Sequence, residues 1–247
     1  MPRPESGCFR PDWPLPSGVR AASTTRHGGF SQGAYGSFNL GDHVGDVSQA
    51  VVANRSRLEH ALDLPASPLW LAQRHGNCVA GVADPVGAPA DARYAHVPGQ
   101  VCVVLTADCL PLLLCSDDGR EIAAVHCGWR GLVAGIVSRA VARFTAPPMA
   151  ISAWLGPAIG PAAFEIGDEV RQAFLAVDPG SAACFTPGTG GRWFGDLCGL
   201  TRRSLAAVNV VRVHGGGQCT VTDPERFYSY RRDGVCGRMA SLIWRVV

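Results

Sequence analysis

Two residues near the ends of the segment TADCLPLLLCSDDGREIAAVHCGWRG (residues 106–131) have side chains that could do chemistry together. Cys109 and His126 could be a nucleophile and its general base, or two ligands of one metal ion. They could also be core residues, because a lone cysteine on an apolar strand is more often buried filling than a ligand. The residue types leave all three interpretations open, so the local structure must decide whether the side chains can meet.

The stretch between these two residues has the pattern of a β-hairpin. Two apolar runs, PLLLC and IAAVHC, flank Asp118-Gly119, a dipeptide typical of two-residue hairpin turns. With that turn at its centre, the pairing places His126 opposite Pro111. Cys109 lies two positions further along the same strand, and therefore on the same face as His126. Side chains at such diagonal positions could reach one ion or approach hydrogen-bonding distance.

Apolar runs of strand length and amphipathic stretches alternate along the rest of the chain without a strict β-α-β rhythm. This alternation predicts a mixed α/β fold in which helices cover mixed β-sheets. We find no repeat and no linker, and we predict one domain over residues 19–247 after a Pro-rich, irregular segment at 1–18. Residues 26–46 are too polar and Gly-rich for a core element, so we predict a long functional loop there.

Several individual elements have clear local sequence patterns. Strands are expected at 69–73 and 226–232, and the clearest helix is expected over 133–144, where apolar residues keep i, i+3 and i+4 spacing. Asp46 and Asp196 are predicted to cap the helices that follow them.

Composition excludes several classes of function. All 22 basic residues are arginine, which excludes Schiff-base chemistry on lysine and a P-loop lysine. The formal net charge is +2 and no basic run is present, so we expect no nucleic-acid partner and no membrane partner. No apolar run reaches about 18 residues, and the N-terminus does not resemble a secretory signal. The 10 cysteines form no C-x-x-C pair, and we expect reduced thiols and a cytoplasmic location.

Five phrases occur in order along the chain and together carry a resemblance to a known family. They are TTRHGGFSQGAYGSFNLGDHVGD, QRHGNCV, TADCLPLLLCSDDGREIAAVHCGWRGLVAGI, AWLGPAIGPAAFEIGDEV and YSYRRDGVCGRMASLIW. On these motifs the chain resembles the laccase-domain proteins, also called the YfiH or multicopper polyphenol oxidoreductase family, from about Thr24 to Trp244. The resemblance implies a layered α/β sandwich of the CNF/YfiH-like kind, shared with certain cysteine hydrolases.

The resemblance also implies a zinc ion held by two histidines and one cysteine, which match His75, Cys109 and His126. These three residues are then the predicted catalytic and metal-ligating residues, with zinc as cofactor and copper able to replace it. The family usually has QVHG and HAGWRG, so Arg74 and Cys127 depart from its pattern, but neither departure removes a ligand. Two imidazoles and one thiolate leave the fourth position of a tetrahedral site open, as in catalytic zinc sites.

The function that the resemblance implies is that of a purine nucleoside phosphorylase. The expected reactions are phosphorolysis of inosine, adenosine, guanosine and methylthioadenosine, and deamination of adenosine, with nucleoside and phosphate as small-molecule partners. A monomer or a homodimer is expected. Four residues are predicted to bind substrate, with structural roles as comparable alternatives for them: Arg26, Asn39, Arg130 and Arg231.

Two other enzyme functions stay open. Cys109 could be a nucleophile with His126 as its base, in a cysteine or zinc amidase that edits cell-wall peptide precursors. The other is a copper-dependent polyphenol oxidase, but the chain has 7 histidines and no H-x-H pair, too few imidazoles for several coppers. A metal-dependent binding module is disfavoured, because the Gly-rich loop and the arginines near it indicate a small-molecule pocket.

Overall fold

In the computed structural model the chain is described over residues 7–246, and this range contains thirteen β-strands and six α-helices. The strands are β1 (Cys8–Phe9), β2 (Val19–Thr24), β3 (Val79–Ala80), β4 (Ala92–Ala95), β5 (Val101–Thr106), β6 (Leu110–Ser116), β7 (Ile122–Cys127), β8 (Ile151–Leu155), β9 (Glu165–Ile166), β10 (Phe185–Pro187), β11 (Trp193–Gly195), β12 (Arg212–Gly215) and β13 (Met239–Arg245). The helices are α1 (Ser48–Leu62), α2 (Trp129–Val133), α3 (Ile136–Val141), α4 (Asp168–Val177), α5 (Leu197–Ala207) and α6 (Tyr230–Asp233). None of these helices is long and apolar enough to cross a membrane.

The strands form two large sheets and a small one. The six-stranded sheet has the order β12-β8-β6-β7-β4-β3, the four-stranded sheet has the order β1-β2-β13-β5, and β10, β11 and β9 form the third sheet. Parallel and antiparallel pairs both occur, since β12 runs parallel to β8 whereas β6 runs antiparallel to β7 and β8. The predicted mixed α/β fold is confirmed.

The two large sheets pack face to face, and helices cover their outer faces. Leu113 and Ile122 of the six-stranded sheet share one apolar core with Val104 and Ile243 of the four-stranded sheet. The opposite face of the six-stranded sheet packs against α2, α3, α4 and α5. Helix α1 covers the outer face of the four-stranded sheet through Leu58. The layers therefore follow the order helices, sheet, sheet, helix.

The hairpin β6–β7 lies at the centre of the six-stranded sheet, and every residue of both strands is buried. A strand buried on both faces has a continuous apolar sequence rather than an alternating one, which explains its composition. The register pairs Pro111 with His126, as predicted. The connecting loop is 117–120 rather than the predicted two residues, but the N–H of Ser116 bonds to the carbonyl of Glu121, so the register is unchanged.

The long helix expected over 133–144 is divided in two. Gly135 separates α2 from α3 with a left-handed φ of 81°, which ends one helix and starts the next in another direction. Asp46 does not cap helix α1. The N-cap position is Val47, and the only backbone N–H near the helix start that the Asp46 carboxylate accepts is that of Val47 itself. The predicted cap of α5 is confirmed, because Asp196 accepts the N–H of Gly199 at 2.9 Å.

Two predicted strands are absent from the described structure. Residues 69–73 belong to no strand, and the side chain of Gln73 exchanges two hydrogen bonds with the backbone of Leu105 instead. Residues 226–229 lead into α6, which includes 230–232, and Ser229 caps this helix by accepting the backbone N–H of Arg232. The buried side chains of both stretches, among them Leu71 and Phe227, are in the core although their backbones join no strand.

Two segments are predicted to be irregular. Residues 26–46 contain one 3₁₀ turn, Gly33–Tyr35, and otherwise form loop structure. Within 1–18, strand β1 pairs with β2 at Cys8–Phe9, and residues 1–6 lie outside the described range.

Candidate metal centre

Three segments that are distant in the sequence meet at one place. Cys109 directly precedes β6, His126 is the penultimate residue of β7, and His75 lies at a bend in the loop before β3. One donor atom from each side chain lies within 4.8 Å of the other two. The two imidazole rings meet edge to face, with centroids 4.8 Å apart and planes at 75°. Within residues 7–246, this is the one group of three or more His, Cys, Asp or Glu side chains that could hold a metal ion.

Two glycines after β7 make room for this group. A Cβ atom on Gly128 would lie 3.0 Å from Cδ2 of His75 and 3.2 Å from Sγ of Cys109, closer than atoms normally pack. A Cβ atom on Gly131 would lie 2.8 Å from the backbone oxygen of Gly76. The missing side chains therefore let the segment that carries His75 approach the hairpin.

A buried carboxylate, Asp91, contacts both histidine segments. Its Oδ1 atom accepts Nδ1–H of His126 at 2.8 Å and the backbone N–H of His75 at 2.8 Å. Its Oδ2 atom accepts the backbone N–H of Gly76 at 2.7 Å and that of Arg74 at 3.1 Å. Because an ionised carboxylate can only accept, this bonding leaves Nε2 as the His126 ring nitrogen that faces the ligand group and can bind an ion.

Asp91 is not among the residues predicted from the sequence, because it lies in GAPADARYA, a stretch without a motif. The pairing of β4 with β7 is the signal that could have found it, since Asp91 directly precedes β4 and its carbonyl accepts the N–H of His126 at 2.7 Å. Burial raises the pKa of this carboxyl, but the bonds from His126 and from the backbone of Gly76 and Arg74 outweigh burial and lower it. Asp91 is therefore an anion in the folded protein.

Cys109 and His126 change each other's pKa. Burial opposes ionisation of the Cys109 thiol, but the His126 and His75 rings beside it outweigh burial and lower its pKa. Burial opposes protonation of His126, but the Cys109 thiolate and the Asp91 carboxylate outweigh burial and raise the pKa of its ring. The group therefore favours the thiolate, which is the form in which cysteine binds a metal or attacks a substrate.

The residue before Cys109 fixes the turn that presents it. Asp108 has a left-handed φ of 88°, which is uncommon for a residue other than glycine. Its carboxylate accepts the Thr220 hydroxyl at 2.6 Å and the backbone N–H of Arg231 at 2.7 Å. Its carbonyl accepts the N–H of Ile159 at 2.9 Å. Three other segments of the chain therefore hold this turn in place.

Two of the predicted substrate-binding arginines are connected to the ligand group, Arg130 by its position in the chain and Arg231 by a backbone hydrogen bond. Arg130 is two residues beyond Gly128 in α2, is exposed, and places its guanidinium 4.3 Å from the ring centroid of Trp129. Arg231 is tied to the turn at Asp108 through its backbone, and its guanidinium donates to the carbonyl of Ala163 at 3.1 Å.

Arg26, the third predicted substrate residue, makes hydrogen bonds within the protein through its guanidinium. Its Nε donates to the carbonyl of Gly36 at 3.2 Å, and another guanidinium nitrogen donates to the carbonyl of Pro224 at 3.1 Å. The guanidinium also lies 4.9 Å from the ring centroid of Tyr228. Arg26 therefore joins the loop to the segment before α6.

Asn39, the fourth, is fully buried. Its amide nitrogen donates to the carbonyl of Gly41 and to the carboxylate of Asp46, and its amide oxygen accepts the N–H groups of Gly41 and Arg238. Asn39 has no exposed surface with which to contact a substrate, and its bonds stabilise the loop.

The donor set fits one metal ion of the zinc or copper type. A tetrahedral centre with bonds of about 2.0–2.3 Å places its donors roughly 3.3–3.8 Å apart, so small side-chain rotations would close this group around an ion. Nitrogen and thiolate donors suit zinc and copper and do not suit magnesium or calcium. Fold and site together define a class of protein, a layered α/β sandwich with a three-donor metal centre at the end of its central hairpin.

The chain belongs to the multi-copper polyphenol oxidoreductase laccase family, whose model matches residues 20–246. It is 51% identical over 238 residues to the purine nucleoside phosphorylase YfiH of Shigella flexneri, covering 96% of this chain and 98% of that protein. It is 44% identical over 239 residues to a purine nucleoside phosphorylase of Haemophilus influenzae, again covering 96% and 98%. The predicted resemblance is confirmed.

Solved structures agree with this membership. Protein NMB0706 of Neisseria meningitidis superposes with a TM-score of 0.94 at 43% identity, covering 98% of this chain and 100% of that one. YlmD of Geobacillus stearothermophilus superposes with a TM-score of 0.92 at 30% identity, covering 98% and 97%. The layered sandwich is therefore the fold of these relatives as well.

Proposed function

We propose that the protein is a zinc-dependent purine nucleoside phosphorylase. The observation that carries the proposal is the meeting of His75, Cys109 and His126 in a chain 51% identical to a protein named purine nucleoside phosphorylase. The family name refers to several coppers, whereas residues 7–246 provide one group of three donors. Two imidazoles and one thiolate with an open fourth position suit a single catalytic zinc.

The proposed substrates are phosphate and the nucleosides inosine, adenosine, guanosine and methylthioadenosine. In phosphorolysis a phosphate oxygen bonds to C1′ of the sugar while the C1′–N9 bond breaks, and the electron pair of that bond moves onto the purine, which takes up a proton. A bound zinc ion would supply a Lewis acid at the site. His75, Cys109 and His126 would hold it, and the exposed guanidinium of Arg130 would bind phosphate oxygens. Deamination of adenosine at the same centre is part of this proposal.

The test combines metal content with activity. Protein purified without added metal is analysed for zinc and copper, and it is assayed for phosphate-dependent release of hypoxanthine from inosine and for release of ammonia from adenosine. Cys109→Ala is expected to lose the zinc and both activities. Cys184→Ala, which changes a partly exposed cysteine outside the ligand group, is the control and is expected to keep them. A zinc-free wild type with full activity would refute the proposal.

One observation favours a second candidate, an amidase that acts on cell-wall peptide precursors. A cysteine whose pKa is lowered by neighbouring histidines is what a nucleophile requires, and Cys109 meets that condition. The same proteins can be assayed on a peptide amide. Hydrolysis that survives removal of zinc by a chelator but is lost in Cys109→Ala would favour the nucleophile over the ligand.

We propose that any oxidation of phenols by this protein would require copper in place of zinc. Copper stands above zinc in affinity for nitrogen and sulfur ligands, so the same three donors would accept it. Phenol oxidation is then expected only in protein exposed to copper. Oxidation that tracks a native copper content near one per chain, without added copper, would contradict this explanation. The cytoplasmic location and the monomeric or homodimeric state stay predictions.

A further inference from the structure

We propose that Asp91 is a positioning residue that holds two of the three metal ligands at once, His126 through its ring and His75 through its backbone. The inference rests on the proposed metal centre and adds a residue that supports the ligands without binding the ion. Asp91 is 1% exposed, and its two oxygens accept N–H groups from the His126 ring and from residues 74–76. A buried carboxylate that accepts this many bonds has a fixed orientation.

On one side, Asp91 sets the tautomer and the angle of the His126 ring. Nδ1 donates to the carboxylate at 2.8 Å, so the hydrogen lies on Nδ1 and the lone pair of Nε2 is left for an ion. The main chains of the two residues are also joined, because the carbonyl of Asp91 accepts the N–H of His126 at 2.7 Å. The ring therefore cannot turn away without breaking a buried hydrogen bond.

On the other side, Asp91 stabilises an unusual backbone at His75. This residue has φ of 58°, in the left-handed region that residues other than glycine rarely adopt. The N–H groups of Arg74, His75 and Gly76 all point at the carboxylate, at 3.1, 2.8 and 2.7 Å. Consecutive N–H groups arranged in this way form an anion-binding nest. Loss of the anion would leave these groups unpaired and release the segment that carries His75.

Glu121 is a matched control in the same protein. It is also a buried carboxylate, 5% exposed, and it accepts the Tyr94 hydroxyl at 2.5 Å and the backbone N–H groups of Thr145 and Ala146 at 2.7 and 2.8 Å. None of its partners belongs to the ligand group. A merely structural role predicts similar behaviour for Asp91→Asn and Glu121→Gln, whereas a positioning role predicts that only Asp91→Asn changes the metal centre.

The test measures metal binding and coordination geometry rather than turnover. Zinc affinity of the folded wild type and both variants is measured by competition with a chromogenic chelator, and the visible spectrum of Co²⁺-substituted protein reports the geometry. We expect Asp91→Asn to bind zinc about 10–100-fold more weakly and to alter the spectrum, and Glu121→Gln to match the wild type. Unchanged affinity and spectrum in Asp91→Asn would overturn the inference and leave the proposed function standing. A wild type that binds no zinc would overturn both.

If Asp91→Asn does not fold, the role of Asp91 can be tested on the wild-type protein instead. Nitrogen-15 NMR of the zinc-loaded protein identifies which ring nitrogen of each histidine carries a hydrogen. His126 is expected to carry it on Nδ1, bonded to Asp91. A hydrogen on Nε2 with a bare Nδ1 would overturn the inference.

Discussion

Gly128 offers a way to perturb the metal centre without removing a ligand. Its backbone angles, φ of −75° and ψ of 157°, are ones that alanine adopts without strain. In Gly128→Ala the added Cβ atom would lie 3.0 Å from Cδ2 of His75, 3.2 Å from Sγ of Cys109 and 3.7 Å from Cε1 of His126. The substitution therefore places one methyl group among the three donors and leaves each donor present.

The size of the effect follows from these separations. Carbon atoms in contact prefer about 3.5–4.0 Å, so the His75 ring must retreat by roughly 0.5 Å or more. Metal–ligand distances tolerate shifts of only about 0.2 Å, and a reacting group misplaced by about 1 Å costs on the order of 100-fold in rate. We therefore expect Gly128→Ala to weaken zinc binding and to lower kcat/KM for inosine by roughly 10–100-fold.

The assay compares zinc affinity, kcat/KM for inosine and the urea midpoint of the metal-free protein. Gly217→Ala is the control, because no atom lies within 4 Å of the Cβ that it would add. We expect Gly217→Ala to match the wild type in all three measurements, and Gly128→Ala to differ in the first two only. If Gly128→Ala bound zinc and cleaved inosine like the wild type, the three donors would not surround this position, and the geometric argument would be refuted.

Three further predictions concern other parts of the molecule. Arg130→Gln is expected to raise KM for phosphate by about 10–100-fold with zinc content unchanged, because a charge-assisted hydrogen bond contributes about 1.5–3 kcal/mol. An unchanged KM would exclude the role. Burial raises the pKa of the Glu121 carboxyl, but the bonds from Tyr94 and two backbone N–H groups outweigh burial and lower it. The ionised Glu121 carboxylate therefore stabilises the fold fully above the ordinary carboxyl pKa of about 4.3, and this stabilisation is lost as pH falls through the lower pKa of the folded protein. Glu121→Gln should lower the free energy of unfolding by about 1–3 kcal/mol at neutral pH. Urea titrations should show this difference from the wild type shrinking in acid, and a constant difference would contradict the prediction. Gly135→Ala should lower the free energy of unfolding by about 1–2 kcal/mol, since its φ of 81° strains any L-residue, and an unchanged urea midpoint would contradict that conformation.

The central hairpin could be predicted from sequence because its determinants are local. Two continuous apolar runs and the Asp118-Gly119 turn specify pairing, and the register of His126 with Pro111 follows. The real loop, 117–120, is longer by one residue on each side, which preserves the register. An error of one residue in total would have put Cys109 and His126 on opposite faces.

The wrong predictions of helix and strand occur where an apolar sequence pattern indicates burial but does not determine the backbone conformation. The apolar stripe over 133–144 correctly identifies residues that pack on the sheet, but the left-handed turn at Gly135 leaves no trace in that periodicity. Residues 226–232 look like a strand because Phe227 and Tyr228 are apolar and fully buried, yet they fill a small core beside Met239 without pairing. Tertiary packing decides both cases.

The three donors differ in how their positions are fixed, and this difference limits what local reasoning can predict. Cys109 and His126 are carried at the ends of paired strands, so backbone hydrogen bonds set their relative positions. His75 lies on a segment outside any strand, and its place depends on the carboxylate of Asp91 and on the space left by Gly128. Those contacts join residues far apart in the sequence, so only the family resemblance could supply the third ligand. Strand pairing fixes the positions of Cys109 and His126, whereas the Asp91 carboxylate and the space beside Gly128 fix the position of His75. Substitutions at Asp91 and Gly128 must therefore weaken metal binding, although neither residue binds the metal.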